Sequence, residues 1–279
     1  MTLLAVVELG RGVRPPDEPV LHADDEGFLR ARAVFETLRV YAGIPFRLEG
    51  HLERFAASAA RVGLPPPDRD AFAGIAAEAL VAAHTPDAVL RLLWTAGREG
   101  AGRPLGLALV SELPPGLDGD RERGLRLASV PWAPGALAGA KSTSYAANLA
   151  ARDEAWRRGA DDALLLRTDG VVLESPTSNV WWREGETLVT PSLELPILAG
   201  VTRAALLELA PVAGYELAEV EAPLARLTDA DEVFLSSSIR EVMPVVELDG
   251  SPVGGGRPGS AAETLQRDLR AAGYALPDG

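Results

Sequence analysis

Apolar positions along this chain change period again and again, and each change marks an element. "LEGHLERFAASAARVGL" (48–64) spaces its apolar residues three and four apart and stops at Gly63, which predicts a helix. "AFAGIAAEALVAAH" (71–84) predicts a second. "TLRVYAG" (37–43), "AVLRLLWTAG" (88–97) and "LGLALVSE" (105–112) read as strands running into turns. "LPPGLDGD" (113–120) breaks the pattern with Pro, Gly and Asp and is the best linker candidate. Beyond it, "GLRLASV" (124–130) reads as a strand and "SYAANLAARDEAWRRGA" (144–160) as a helix ending at Gly159. "DALLLRTDGVVLES" (162–175) predicts a hairpin turning at Asp169-Gly170, and "NVWWREGETLVT" (179–190) a second hairpin. "GVTRAALLELA" (200–210) opens a helix directly after a glycine. "DEVFLSSSI" (231–239) ends a strand in hydroxyls, and "SAAETLQRDLRAAG" (260–273) closes with a helix. The sum is two mixed α/β domains, with no internal repeat and no dinucleotide-type glycine fingerprint.

Composition narrows the chemistry. The 279 residues carry 27 basic and 40 acidic side chains, a net charge of −13. That argues against nucleic acid and anionic membrane as partners, since both need a basic face. Solubility is the plainer meaning of the acidity. Cys is absent, which removes disulfide and thiol chemistry. His22, His51 and His84 are too scattered to suggest a metal site. "MTLLAVVELGRG" lacks the basic start and apolar run of a secretory leader, and no stretch approaches a membrane span, so a cytoplasmic setting is expected.

One residue stands apart. The 27 cations are 26 arginines and one lysine, Lys141, within "GALAGAKSTSY" (135–145). Arginine serves wherever only positive charge matters, but it cannot be deprotonated, whereas a desolvated lysine becomes a neutral nucleophile. Lys141 is therefore a candidate for amine chemistry such as a Schiff base. Chance survival on the surface is the competing explanation.

Other features bear on that choice. Glu174 closes a predicted strand ahead of "SPTSN", where a carboxylate can keep a heterocyclic nitrogen protonated or merely be a solvated acid. "AGVTRAALL" (199–207) offers free N–H groups and positive dipole at a helix start, with Thr202 adding a hydroxyl; a plain helix cap looks the same. The serines of "LSSSI" (235–239) suggest a second phosphate clamp or a polar turn. Arg54 can neutralise a phosphate or sit on a helix surface. Together these are the parts a pyridoxal phosphate site needs: an amine, a carboxylate for the pyridine nitrogen, and phosphate-holding groups.

At this point the sequence resembles the class IV aminotransferases, the fold type IV pyridoxal phosphate enzymes. The resemblance runs from about Asp25 to Gly250 through "DDEGFLRARAVFETLRVYAGIPFRLEGHLERF", "KSTSYAANLAARDEAWRRGADDALLLRTDGVVLESPTSNVWW", "LVTP", "LAGVTR" and "VFLSSSIREVMPV", in family order. It implies a small N-terminal α/β domain (1–113), a linker (114–121) and a larger cofactor-binding α/β domain (122–279). It implies Lys141 as the Schiff-base lysine, Glu174 as the partner of the pyridine nitrogen and Arg54 as the phosphate arginine. Val201 and Thr202 match the phosphate-binding helix start, and Ser237 and Ser238 the second clamp. Tyr145 is set against the tyrosine that bonds the cofactor's phenolic oxygen in some members. Asn179 reads as a support beside Glu174. The resemblance also implies a homodimer whose active site borrows residues from the partner's small domain.

Departures from the family pattern concern substrate. Bacillus-type D-amino acid transaminases hold the substrate carboxylate with an Arg-x-His pair; here Arg98 is present without the histidine, and Phe35 replaces their tyrosine before the glutamate. Arg30 or Arg32, in the loop the family places over the neighbouring site, and Arg240, just past the serines, are the candidate replacements. The implied activity is transfer of an amino group to a 2-oxo acid, with D-amino acids as donors, since "FETLR" stands where branched-chain enzymes have "FEGIR". An aminodeoxychorismate lyase, releasing 4-aminobenzoate and pyruvate, is the alternative, and a non-catalytic cofactor-binding protein a remote third.

Overall fold

The computed structural model describes residues 2–275, and the chain divides into two units. Among these residues, the first comprises 2–115 together with 139–145, and the second 116–138 with 146–275.

In the first unit the elements are β1 (Leu3–Glu8), β2 (Gly12–Arg14), α1 (Glu26–Arg30), β3 (Ala33–Tyr41), β4 (Ile44–Pro45), α2 (Leu48–Arg61), α3 (Arg69–Ala83), β5 (Ala88–Thr95) and β6 (Leu105–Ser111). Six antiparallel strands form one sheet in the order β2-β1-β6-β5-β3-β4. β3 and β5 pair without a slip from Ala33↔Thr95 to Val40↔Ala88. Period-two alternation turns Val34, Leu38 and Val40 of β3 into the core, and it turns Glu36 the same way. The sheet's apolar face is covered by α2 and α3 through Leu52, Phe55, Phe72 and Ile75. Phe55, Phe72 and Trp94 meet edge to face at 5.0 and 5.6 Å, and each such aromatic contributes roughly 1.5–3 kcal/mol by burial alone. Asp68 caps α3 by accepting the N–H of Ala71, the role its position before an apolar run suits.

The second unit holds α4 (Leu117–Arg123), β7 (Leu125–Trp132), α5 (Ala146–Arg157), β8 (Asp162–Arg167), β9 (Asn179–Glu184), β10 (Thr187–Pro191), α6 (Val201–Val212), β11 (Glu216–Val220), α7 (Leu224–Thr228), β12 (Glu232–Ser237), β13 (Glu241–Leu248), β14 (Ser251–Pro252) and α8 (Ser260–Tyr274). Its mixed sheet runs β11-β10-β9-β12-β13-β7-β8, with β14 beside β13. The outer pairs β10–β11 and β7–β8 are parallel, as is β13–β7, while the central pairs are antiparallel. Trp181 and Phe234 stack at 6.0 Å in its interior.

Three expectations are corrected. Residues 114–121 are not a bare linker, since α4 begins at Leu117. Asp118 and Asp120 stand in its first turn and Arg121 and Arg123 in its last, which suits the helix dipole. Gly139–Tyr145, expected in the larger domain, belongs with the first unit because backbone bonds tie it to β3. The 162–175 hairpin turns at Gly170, but its return arm is held by isolated bridges such as Leu166↔Val172 rather than as a full strand. The ends of the expected domains, residue 1 and residues 276–279, lie outside the described residues. No helix among the described residues is long and apolar enough to cross a membrane.

Candidate functional site

Each unit carries its own set of the expected groups. In the first unit, Lys141 lies on a loop laid along the first residues of β3, ahead of its pairing with β4. Its carbonyl accepts the N–H of Phe35 at 3.0 Å, and its own N–H donates to Ser58 Oγ at 3.0 Å. Thr143 N–H donates to the Ala33 carbonyl, also at 3.0 Å, so the loop is held on both sides of the lysine. The Nζ lies 4.5 Å from the centroid of the Phe35 ring, an attractive cation–π distance. The Tyr145 ring packs edge to face on Phe35 at 5.7 Å. The structure thus gathers Lys141, Phe35 and Tyr145.

Arg54 belongs to a second, tightly built group. Its Nε donates to Glu36 Oε1 at 2.8 Å and its Nη2 to Glu36 Oε2 at 2.6 Å. His51 Nδ1 donates to the same Oε2 at 2.7 Å. Glu36 and His51 are wholly buried, while Arg54 keeps a little exposure. Burial works to raise the Glu36 carboxyl, but the charge and hydrogen bonds of Arg54, with His51, bring it down to about 2. His51 is held below its ordinary value by burial, against the pull of Glu36. A neutral imidazole therefore donates to an ionised carboxylate, which in turn fixes the guanidinium. Sequence reasoning passed over Glu36 and His51. The available clues were an acid in phase with Val34, Leu38 and Val40, and a histidine one helical turn before Arg54.

The second unit presents a carboxylate and a helix start. Glu174 accepts the N–H of Leu198 at 3.1 Å and the side-chain amide of Asn179 at 3.2 Å. The same amide donates to the Leu198 carbonyl at 2.9 Å, so Asn179 bridges the acid to the chain that leads into α6. Gly200 precedes Val201 as the N-cap, with no side chain to satisfy the first N–H groups. A Cβ at Gly200 would lie 2.0 Å from Asn179 Oδ1, so only glycine lets the helix start approach this close. Val201 and Thr202 are buried in the first turn. Next in line, Arg203 is buried and turned away to the Pro191 carbonyl and to Glu219.

Of the three serines ending β12, Ser236 is committed to the indole N–H of Trp181 at 2.9 Å. Ser237 Oγ accepts the N–H of Arg240 across the turn, and Ser238 is half-buried beside it. Arg240 itself turns to Asp162, which is wholly buried, at 2.5 Å. The expected substrate role of Arg240 meets this partner, which lies 78 residues away and could not be read from its neighbours in sequence.

The remaining candidate arginines are paired as well. Arg30 bonds Glu99 at 2.7 Å and Arg98 bonds Asp24 at 2.9 Å, both at exposed positions. Arg32 is held twice, by Glu26 at 3.0 Å and by the Gly63 carbonyl at 2.9 Å. The two segments bearing them are pinned together by buried Asp25, which accepts from Gly27 N–H at 2.7 Å and from the Thr95 hydroxyl at 2.9 Å.

These groups fit pyridoxal phosphate. The lysine is placed by its backbone on an aromatic face, the cation is fixed by a buried acid, the carboxylate is oriented by neutral donors, and the glycine-started helix has no side-chain cap on its first N–H groups. No group of metal-ligating side chains occurs among the described residues.

Comparison with known proteins agrees. The family model for amino-transferase class IV matches residues 33–248. A bifunctional aminodeoxychorismate lyase / D-amino acid transaminase of Mycobacterium tuberculosis is 36% identical over 264 residues, covering 88% of this chain and 91% of that one. A fold IV-transaminase from Curtobacterium pusillum superimposes with a TM-score of 0.89 at 32% identity, over 98% of this chain and 99% of its own. An aminotransferase of M. tuberculosis, described as hypothetical and solved with alpha-ketoglutarate and PMP bound, gives 0.89 at 34% identity, over 96% and 98%. The same protein has also been solved in a PLP-bound form. With the match spanning most of the chain and both sheets, this protein belongs to the class IV aminotransferases and uses pyridoxal 5'-phosphate to move amino groups between amino acids and 2-oxo acids.

Proposed function

We propose that this transaminase takes its amino group from D-amino acids. The observation that supports this most is the 36% identity, over nearly the whole of both chains, to a relative whose name includes D-amino acid transaminase. A D-alanine aminotransferase of Bacillus licheniformis is also similar, at 28% identity over 91% of this chain. The lyase reading rests on the other half of the first relative's name and on an aminodeoxychorismate lyase of Bacillus subtilis, 31% identical over 89% of this chain.

In this reading Lys141 would hold the cofactor covalently until the substrate's amine displaces it, and the freed Nζ would then take the proton from the substrate's α-carbon. The cofactor, when bound, supplies an electron sink for the charge left on the α-carbon. Glu174 keeps the ring nitrogen protonated, with Asn179 and the Leu198 N–H setting its direction. Arg54, Thr202, Ser237 and Ser238 hold the phosphate, together with the N–H groups of Val201 and Thr202. Tyr145 bonds the phenolic oxygen. The substrate carboxylate falls to Arg30 or Arg98, whose exposed partners are easily exchanged, rather than to Arg32 or Arg240.

The assembly in this reading is a homodimer. Phe28 and Leu29 of α1 are 67% and 51% exposed beside Arg30, and apolar side chains of that size favour cover by a second copy. Sedimentation analysis that finds only monomer would remove that part.

The test of substrate is a panel of half-reactions. Purified holoenzyme is mixed in turn with D-alanine, L-leucine, an (R)-amine and aminodeoxychorismate. Rapid loss of the cofactor's absorption band with D-alanine supports the proposal. Release of 4-aminobenzoate, or a preference for L-leucine, assigns the enzyme to another branch of the family.

A further inference from the structure

The helix α2 turns His51, Arg54 and Ser58 to one side, three and seven residues apart along the stripe. The first two engage Glu36. The third engages the loop that bears Lys141, through the 3.0 Å bond from the lysine N–H to Ser58 Oγ. Ser58 is 2% exposed and sits within "AASAA" (56–60), a lone hydroxyl among four alanines. Alanine is the better helix former and carries no polar atom to bury, so helix propensity and packing both favour alanine at this position. What the hydroxyl provides is an acceptor for one particular N–H.

That N–H belongs to a residue with no secondary structure of its own. Lys141 follows a turn-rich stretch, and its peptide groups are held from two sides: the N–H by Ser58 of α2, the carbonyl by the N–H of Phe35 on β3. Fixing both neighbouring peptides fixes the Cα–Cβ direction from which the amine departs. The same β3 carries Glu36, which fixes Arg54. One strand and one helix therefore set the lysine and the arginine together.

Building on the proposed role of Lys141, we propose that Ser58 is a positioning residue for the reaction: its hydroxyl fixes the main chain of Lys141, so that α2 sets the amine in register with Arg54. Ser58 touches neither substrate nor cofactor in this proposal. It acts by limiting where Nζ can be, and a misplacement of about 1 Å at a reacting group costs up to about a hundredfold in rate.

The experiment compares wild type with Ser58→Ala, Ser58→Thr and Lys141→Ala, each saturated with pyridoxal phosphate. Stopped-flow absorbance follows one half-reaction at saturating donor, using whichever of D-alanine, D-glutamate or L-leucine the wild type accepts fastest. Ser58→Ala is expected to bind the cofactor nearly as tightly as wild type, yet to run the half-reaction about tenfold to a hundredfold more slowly. Ser58→Thr, which keeps the acceptor oxygen, is expected to recover most of that loss. A purely structural role would lower the unfolding temperature of Ser58→Ala and leave the half-reaction of its folded holoenzyme at the wild-type rate. That result would overturn the proposal, as would Ser58→Thr being as slow as Ser58→Ala. Should Ser58→Ala not fold, Ser58→Cys, similar in size but a weak acceptor, is read by the same criteria. Lys141→Ala tests the underlying reading separately: if it keeps the half-reaction, the role given to Lys141 is wrong whatever Ser58 does.

Discussion

Glu36 and Arg54 grip each other at two points, 2.8 and 2.6 Å, with the acid wholly buried on the core face of β3. A charge in such a place is tolerated only when paired, and removal of one partner leaves the other stranded. The pair thus serves two ends. It satisfies an acid that the strand turns inward, and it removes rotamer freedom from Arg54, which in the proposed function would otherwise be lost on holding the phosphate.

The first prediction is a pH dependence of stability. Glu36 ordinarily titrates near 4.5 and is brought to about 2 in the fold. A depressed carboxylate contributes fully above its unfolded value and loses its contribution as pH falls through the folded one. The window is therefore pH 4.5 down to about 2, with on the order of 3 kcal/mol at stake. His51, lowered from 6.5, adds a loss that begins below pH 6.5, because the unfolded imidazole then binds a proton that the folded one resists. Urea unfolding at a series of pH values should show wild-type stability falling through both windows. Glu36→Gln should be less stable near pH 7 and flatter below pH 4.5. Parallel curves for the two proteins would remove Glu36 as the cause.

Lys141 as the only lysine makes a labelling prediction unusually clean. Borohydride treatment of the holoenzyme should fix the cofactor to one side chain, in the peptide around 135–152. Lys141→Arg keeps the charge and should lose the linkage, because a guanidinium stays protonated. Label recovered on any other peptide would contradict the role given to this residue.

For Glu174 the expected effect is electronic rather than steric. Glu174→Gln retains an acceptor for the Leu198 N–H and a shape close to the original, so the fold and some cofactor should remain. In the role proposed for Glu174, turnover should fall by about a hundredfold or more, since a carboxylate that would keep the ring nitrogen charged is replaced by a neutral amide. Asn179→Ala should give a milder loss, as Leu198 N–H still orients the acid. Near-normal kcat in Glu174→Gln would make the residue an ordinary hairpin acid.

How far these groups were legible in sequence follows from their range. Lys141 stood out because composition isolated it, and Glu174 and Arg54 because they fell in ordered family motifs. Glu36, His51 and Ser58 did not stand out. Each looks ordinary in its own element, and each acquires meaning from a partner reached by folding: 18 residues from Glu36 to Arg54, 83 from Ser58 to Lys141. The strands most easily missed were of the same kind. β13 contains Pro244, which argues against a central strand, yet its pairing with β7 begins only at Val245. α4 hid in a run of Pro, Gly and Asp that reads as a linker until Arg121 is seen reaching Glu241 and the Val242 carbonyl.

The last prediction separates the candidate arginines by what each already holds. An amino acid substrate brings a carboxylate that must be paired once buried. Arg240 is engaged by Asp162, an acid without solvent access, and Arg240→Ala would strand that charge. The variant should therefore lose about 3 kcal/mol or more of stability and slow acids and simple amines alike. Arg32, tied to both Glu26 and the Gly63 carbonyl, should also affect the two substrate types equally. Arg30 and Arg98 differ: their partners Glu99 and Asp24 are exposed, where water and salt screen the pairing, so exchanging such a partner for a substrate carboxylate costs little. One of Arg30→Ala and Arg98→Ala should raise KM for D-alanine by roughly tenfold to a hundredfold, the loss of one charged hydrogen bond, with little change for an (R)-amine lacking the carboxylate. The ratio of acid to amine within each variant is the measurement that decides. If Arg240→Ala alone moved that ratio, Asp162 would have to release it during turnover, and the assignment of the carboxylate to the exposed arginines would be wrong.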